Sequence, residues 1–242
     1  MEAILKVKDL GIAFGGNKVL DSVNFYVNEG EVLGIMGPNG AGKTVLLNII
    51  SGILKADHGE VIFLGQNILK ESITARTAMG IGRTFQVPRA FEHMSVYENI
   101  LASVVYGQKV SEKAAAVKAK EILKFVKLEE RANEPAGKLR LINRKRLEIG
   151  AALASDPKLL LLDEVAGGLT NAEVNEILEI VKTIKGRGVS IIWIEHIIQT
   201  LMEGTDRIML LANGRDLLTD TPEEVMKSSI VNEVYMGAEE DD

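Results

Sequence analysis

Residues 31–53 read EVLGIMGPNGAGKTVLLNIISGI. Glu31 to Met36 is a short apolar run. Gly37-Pro38-Asn39-Gly40-Ala41-Gly42-Lys43-Thr44 is a loop of the form G-x-x-x-x-G-K-T, and from Lys43 to Ile53 the residues Leu46, Leu47, Ile49, Ile50 and Ile53 recur at helical spacing. Strand, glycine-rich loop and helix in that order predict a phosphate-binding site. Glycines let backbone amides curl around phosphate oxygens, and the helix N-terminus adds favourable partial charge. Lys43 is placed to reach the β- and γ-phosphates and Thr44 to offer its hydroxyl to magnesium. With Val45, these eight residues form the expected nucleotide-binding segment.

A second stretch gains its meaning from the first. Leu159 to Leu162 followed by Asp163 and Glu164 is an apolar strand ending in two acids. Alone it reads as a solvated strand end. Paired with the loop, it supplies an aspartate at the edge of a magnesium site and a carboxylate near an attacking water. No Asn-Lys-x-Asp base-reading motif follows the loop, so ATP is favoured over GTP.

Around these stretches the chain organises as α/β. The first 30 residues read as a β-hairpin, with Ile4, Val7 and Leu10, a turn at Gly15-Gly16-Asn17, then Val19 to Val27. Strands are expected at Gly59 to Leu64 and from Gly80 towards Gln86, where Pro88 interrupts. The signals then turn helical: a capping box at Ser95 and Glu98, an Ala/Lys/Glu-rich stretch from Ser111 to Lys127, and a helix over Asn143 to Ser155. Beyond Leu159 to Leu162 follow a helix from Asn171 to Lys185, strands at Val189 to Ile194 and Ile208 to Ala212, a final helix opened by Thr221-Pro222, and an acidic tail, Glu239 to Asp242. Strands alternating with helices predict a mainly parallel sheet. The division expected is residues 1–86 (β portion and phosphate loop), 87–155 (helical insert) and 156–242 (second part of the core).

Composition bounds the rest. The 242 residues, 46% hydrophobic, suffice for one large domain, or a domain and a subdomain, with a sizeable core. A net charge of −6 argues against a nucleic-acid partner held by wholesale phosphate neutralisation. The absence of cysteine excludes disulfides, cysteine-ligated metal centres and thiol nucleophiles. The opening residues alternate apolar and charged, as a strand does and an export signal does not, and no run approaches 18 apolar residues. A soluble chain is expected, reaching a membrane only through a partner.

From about Ala3 to Gly237 the sequence resembles the nucleotide-binding subunit of ATP-binding cassette transporters, most of all the branched-chain amino acid importer ATPases. The resemblance is carried by the phosphate loop, by Ile81-Gly82-Arg83-Thr84-Phe85-Gln86 with Ser95-Val96-Tyr97-Glu98-Asn99-Ile100, by Lys145-Arg146-Leu147-Glu148-Ile149, and by Ile194-Glu195-His196. It implies the ABC ATPase fold: a P-loop core with a mainly parallel sheet, an N-terminal antiparallel β subdomain and a helical insert. It also implies hydrolysis of ATP with Mg2+, energising amino-acid uptake through separate membrane permease subunits. Two ATPs would be sandwiched with a second cassette, a heterodimer being favoured and a homodimer possible. A periplasmic or extracellular binding protein would be engaged indirectly, and the chain would sit peripherally on the cytoplasmic face of the plasma membrane.

Residue by residue, the resemblance gives Phe14 to adenine stacking, the alternative being a core position on the opening hairpin. Thr44 and Asp163 fall to magnesium, Gln86 to magnesium or the attacking water, Glu164 to polarising that water, and His196 to the γ-phosphate and water. His58 and His93 lack such context and read as surface or loop residues.

Two departures stand out. Thr170 occupies the position of an acid at the end of Gly167-Gly168-Leu169-Thr170. Leu139-Arg140-Leu141-Ile142-Asn143 replaces the family signature Leu-Ser-Gly-Gly-Gln. Leu141 and Ile142 are expected to obstruct close approach to a partner's nucleotide, whereas Arg140 offers a phosphate-binding fork. The basic run Arg144 to Arg146 is either part of that surface or a solvated helix start. These departures favour an asymmetric pair, in which this chain's intact site faces a partner's intact signature. A soluble cassette without a permease and a catalytically weak ATP-gated subunit are the alternatives.

Overall fold

The computed structural model describes residues 2–87 and 90–237. The interruption expected at Pro88 and the acidic tail Glu239 to Asp242 lie outside them. In chain order the strands and helices are β1 (Ala3–Phe14), β2 (Asn17–Asn28), β3 (Val32–Met36), α1 (Lys43–Ser51), β4 (His58–Phe63), β5 (Gln66–Asn67), α2 (Ile73–Met79), β6 (Ile81–Arg83), α3 (Val96–Gln108), α4 (Glu112–Phe125), α5 (Leu141–Leu153), β7 (Leu159–Asp163), α6 (Asn171–Gly186), β8 (Ser190–Ile194), α7 (Ile198–Gly204), β9 (Arg207–Ala212), β10 (Arg215–Asp220), α8 (Pro222–Lys227) and α9 (Ser229–Gly237).

The strands form two sheets. β2-β1-β4-β5 is antiparallel throughout. The other runs β10-β9-β3-β8-β7-β6, parallel except for the edge strand β10. This is the α/β architecture that the alternation of strands and helices predicts.

Side-chain period in the central strands explains how the layers are joined. Leu159 and Leu161 of β7 and Ile192 and Ile194 of β8 pack with α1 and the antiparallel sheet. Their neighbours Leu160, Leu162, Ile191 and Trp193 face the opposite way, into a core with α3, α4, α5 and α6. All of them are fully buried, and each Leu or Ile contributes about 2 kcal/mol by leaving water. A third, smaller cluster packs α8 and α9 on Met36, Ile208 and Leu210.

Helix ends follow side-chain chemistry. The box at Ser95 and Glu98 closes in both directions: Ser95 Oγ accepts from the Glu98 amide at 3.1 Å, and Glu98 accepts from the Ser95 amide at 2.7 Å. Thr170 and Glu173 make the same box at the start of α6, so the threonine standing in place of an acid is a helix cap. α5 begins at Leu141, two residues before the expected start, because Arg140 is extended (φ −67°, ψ 160°) and takes the capping position. α4 ends at Phe125, short of Lys127, which has φ 58°. Among the described residues, five of these strands and α-helices, β5, α2, α7, β10 and α9, go beyond the sequence expectation. No helix among the described residues is long and apolar enough to cross a membrane.

Candidate active site

Parallel pairing of β6, β7, β8 and β3 brings the carboxyl ends of four strands to one edge, although they are far apart in sequence. The phosphate loop follows β3, Thr84 to Gln86 follow β6, Asp163 and Glu164 end β7, and Glu195 and His196 follow β8. A cavity of about 430 Å3 at that edge is lined by Asn39 to Val45, Gln86, Glu164, His196 and Val19. The sequence-expected residues Gln86, Lys43, Thr44, Val45, Glu164 and His196 thus meet. Phe14 does not line the cavity; it stands at the end of β1, 49% exposed, which excludes the core position considered for it.

The loop's glycines answer to space. A Cβ on Gly37 would come within 1.9 Å of the Leu211 carbonyl oxygen of β9, and one on Gly42 within 2.8 Å of the Val19 carbonyl oxygen. Gly42, at φ 98°, begins α1 without a side-chain cap, and the first helical bond runs from Leu46 N–H to Gly42. The amides of Lys43, Thr44 and Val45 therefore lack intrahelical acceptors, as an anion site requires. Lys43, 6% exposed, donates from its ammonium to the carbonyls of Gly37 at 2.7 Å and Pro38 at 2.9 Å. Burial lowers its pKa, against the pull of Glu164 and Asp163.

Asp163 is 1% exposed. One carboxylate oxygen meets Arg83 at 3.3 Å, and Arg83 also donates to Ser51 Oγ at 2.7 Å. The other, Oδ1, is buried and has no partner at hydrogen-bond distance among the described residues. Burial raises the Asp163 pKa, with Glu164 adding to the rise and Arg83 and the Thr44 hydroxyl opposing it. A buried carboxylate oxygen lacking a donor, beside a threonine hydroxyl, is a donor set that fits a small hard cation such as Mg2+.

Glu164 is the hub. Its carboxylate accepts from Gln86 Nε2 at 2.6 Å and is bonded to His196 Nε2 at 2.7 Å. Its backbone lies in the left-handed region at φ 51°, its N–H donates to the Ile194 carbonyl at 2.9 Å, and its carbonyl accepts from Lys145 Nζ at 2.8 Å. These contacts at both ends of the residue set where the carboxylate can stand.

The basic run Arg144 to Arg146 is not a solvated helix start. Lys145 and Arg146 are buried, Arg146 pairs with Glu176 of α6, and Arg144 folds back on the carbonyls of Leu139 and Gly137. Ile142 is likewise turned inward at 7% exposure, which corrects the expectation that it obstructs an outer surface; Leu141, beside Gly168, and Arg140 remain outside. His58 and His93 are exposed, as read from the sequence.

Glu195 escaped the sequence reading because its neighbour His196 carried the recognisable role. The residue is 2% exposed, and its carboxyl accepts from the Ala166 amide at 2.7 Å and Trp193 Nε1 at 3.1 Å. Burial pushes its pKa up to about 7, against those two donors and Lys145, with Glu164 adding to the rise. The fold therefore holds this proton more tightly than the unfolded chain does. Its contribution to stability is full below the ordinary value of 4.5 and is lost as pH rises through 7. At roughly 3 kcal/mol for the whole interval, Glu195→Gln should raise the denaturant midpoint over the parent at pH 8, and by less at pH 5. A variant less stable than the parent at pH 8 would overturn this.

Comparison with known proteins gives the geometry its family. The family model described as "ABC transporter" matches residues 20–167. A probable branched-chain amino acid transport ATP-binding protein, LivG of Archaeoglobus fulgidus, is 34% identical over 98% of this chain and 96% of its own. The lipopolysaccharide export system ATP-binding protein LptB of Haemophilus influenzae is 30% identical over 97% of this chain and 98% of its own. Among solved structures, the ADP conformation of the ATP-binding cassette MJ1267 superposes with a TM-score of 0.89 at 31% identity, covering 98% of this chain and all of that one. A phosphate loop and an acid-tipped strand at one sheet edge, on a fold shared over nearly its whole length with an ADP-binding cassette, make this chain a member of the ABC transporter family, an ATPase of the ABC cassette fold.

Proposed function

We propose that this ATPase energises the import of amino acids, branched-chain ones in particular, through a separate membrane permease, with Glu164 as the group that polarises the attacking water. The carrying observation is the convergence of Gln86 and His196 on the Glu164 carboxylate at the mouth of the phosphate loop. Lys43 and the free amides of Lys43, Thr44 and Val45, with Gly37 to Gly42, hold the phosphates, and Phe14 offers an exposed ring face to adenine. Thr44 and Asp163 would hold Mg2+, with Gln86 beside them; the ion would supply charge neutralisation at the phosphates. Glu164 takes the water's proton, while His196 and Gln86 hold the carboxylate in place and Lys43 balances charge developing on the phosphate oxygens.

The division into residues 1–86, 87–155 and 156–242 belongs to the same reading, and so does a peripheral position on the cytoplasmic face of a membrane. The insert leaves the core through Gln86 and is the contact for the permease. The second cassette is a different chain: with Leu139 to Asn143 in the signature position, this chain's own site is the faster one when opposite an intact signature.

Likeness to LivG over nearly the full chain supports amino-acid import. The comparable coverage by LptB supports a second reading, in which the permease exports a lipid. Affinity purification from detergent-solubilised membranes, then reconstitution of the captured complex into vesicles, separates them. Import predicts ATP-dependent uptake of leucine, isoleucine or valine with the binding protein present. Extraction of lipid without uptake favours the second reading, and a pull-down without any membrane protein removes both. In parallel, a specific ATPase rate of the isolated chain that climbs with its concentration would remove the heterodimer.

A further inference from the structure

Lys145 is a cation withdrawn from water with no carboxylate within 4 Å among the described residues. It is 3% exposed, and its ammonium donates to two main-chain carbonyls, Gln86 at 3.1 Å and Glu164 at 2.8 Å. Burying an ammonium is costly, and a leucine here would fill the same space without that cost. What the ammonium adds is connection. Three segments that share no strand or helix, α5, the loop after β6 and the turn after β7, meet at one nitrogen atom.

The two carbonyls belong to the residues whose side chains meet in the site, Gln86 and Glu164. Lys145 thus joins by their backbones the pair that the 2.6 Å bond joins by their side chains, closing a ring around the Glu164 carboxylate. One turn further along α5, Glu148 accepts from the Phe85 amide at 2.5 Å. Glu148 and Lys145, three residues apart on one helix face, therefore grip the loop through opposite polarities: an N–H at Phe85 and a C=O at Gln86. The loop is fixed to α5, and Lys145 ties that fixation to the Glu164 backbone, beside the side-chain bond from Gln86.

We propose that Lys145 is a positioning residue for hydrolysis, setting the Glu164 carboxylate and Gln86 amide relative to one another and gearing both to α5. The proposal rests on the reading of Glu164 given above. The phosphate loop is outside the ring, so the phosphate contacts of Lys43 and the loop amides do not run through it.

The test uses the full chain. Lys145→Met keeps the length of the side chain and removes the donors; kcat should fall about 10- to 100-fold, the scale of a misplaced catalytic group. The KM and the ATP affinity measured by titration should stay at the parent's values. Lys145→Arg, which restores donors, should recover most of the turnover. In a Glu164→Gln background, Lys145→Met should cost little more, because both changes act through one group. A parental kcat, a raised KM with kcat unchanged, an undiminished extra loss on Glu164→Gln, or an arginine variant no better than methionine would each overturn the proposal. Undiminished turnover in Glu164→Gln alone would instead overturn the reading of Glu164. If thermal melting shows Lys145→Met unfolded, Lys145→Gln, which keeps one donor group, carries the same comparisons.

Discussion

Glu164→Gln is expected to bind ATP as the parent does and to turn over about 10^3-fold more slowly, the scale of losing a general base, equivalent to about 4 kcal/mol of transition-state stabilisation. The exchange is nearly isosteric, so the question is what becomes of the two donors that meet the carboxylate. His196 Nε2 keeps an oxygen acceptor at Oε1. Gln86 Nε2, now facing an amide NH2, turns over its own amide to present oxygen, which a glutamine can do without moving its backbone. The backbone of residue 164 stays held by Ile194 and Lys145. What is lost is the capacity to accept a proton from water. Steady-state ATPase rates beside an ATP titration check this: parental turnover would remove Glu164 from the chemistry, and a matching loss of affinity would make its role one of binding.

Gly37→Ala should cost about 3 kcal/mol or more of stability and weaken ATP binding with it. The new methyl would stand 1.9 Å from the Leu211 carbonyl oxygen, and that oxygen belongs to the backbone of β9, the parallel neighbour of β3. No side chain can swing aside; two strands must part, and the loop that follows β3 moves with them. Gly40→Ala is the control inside the same loop. It also lies at positive φ, 78°, but a Cβ there has nothing within 4 Å, so the cost is only the conformational one of about 1 kcal/mol. Denaturant midpoints of the two variants decide the matter. Equal costs would mean that conformation rather than the close approach to β9 demands glycine at 37.

What could be read from the sequence was whatever a short stretch states by itself. The phosphate loop declares itself by glycine spacing between an apolar strand and an amphipathic helix, and Ser95 with Glu98 by the chemistry of a reciprocal cap. Thr170 and Glu173 make the same pattern at the same spacing, but against the acid that the family has at that position Thr170 reads as a departure rather than as the cap it is. Illegible were the features made by distant segments meeting. α2 has one buried side chain, Arg76, whose guanidinium binds carbonyls of Ile49, Ile50, Leu69 and Glu71; no apolar period announces a helix held that way. Lys145 and Arg146 look like solvent-facing charges until α5 is laid against the loop and α6. The partnership of Gln86, Glu164 and His196 about one water reached the sequence reading only through the family resemblance, because the strand order that makes it, β8-β7-β6, is encoded in no local stretch.

The positive φ of Glu164 sets two selections against each other. An L-residue with a long side chain holds that conformation at a cost of about 1 kcal/mol, which glycine escapes and asparagine reduces. A variant library screened for thermal tolerance alone would therefore drift towards glycine or asparagine at position 164, becoming sturdier as it fell silent. Retention of glutamate there, in any population of descendants of this chain, would be a record of selection for turnover rather than for durability.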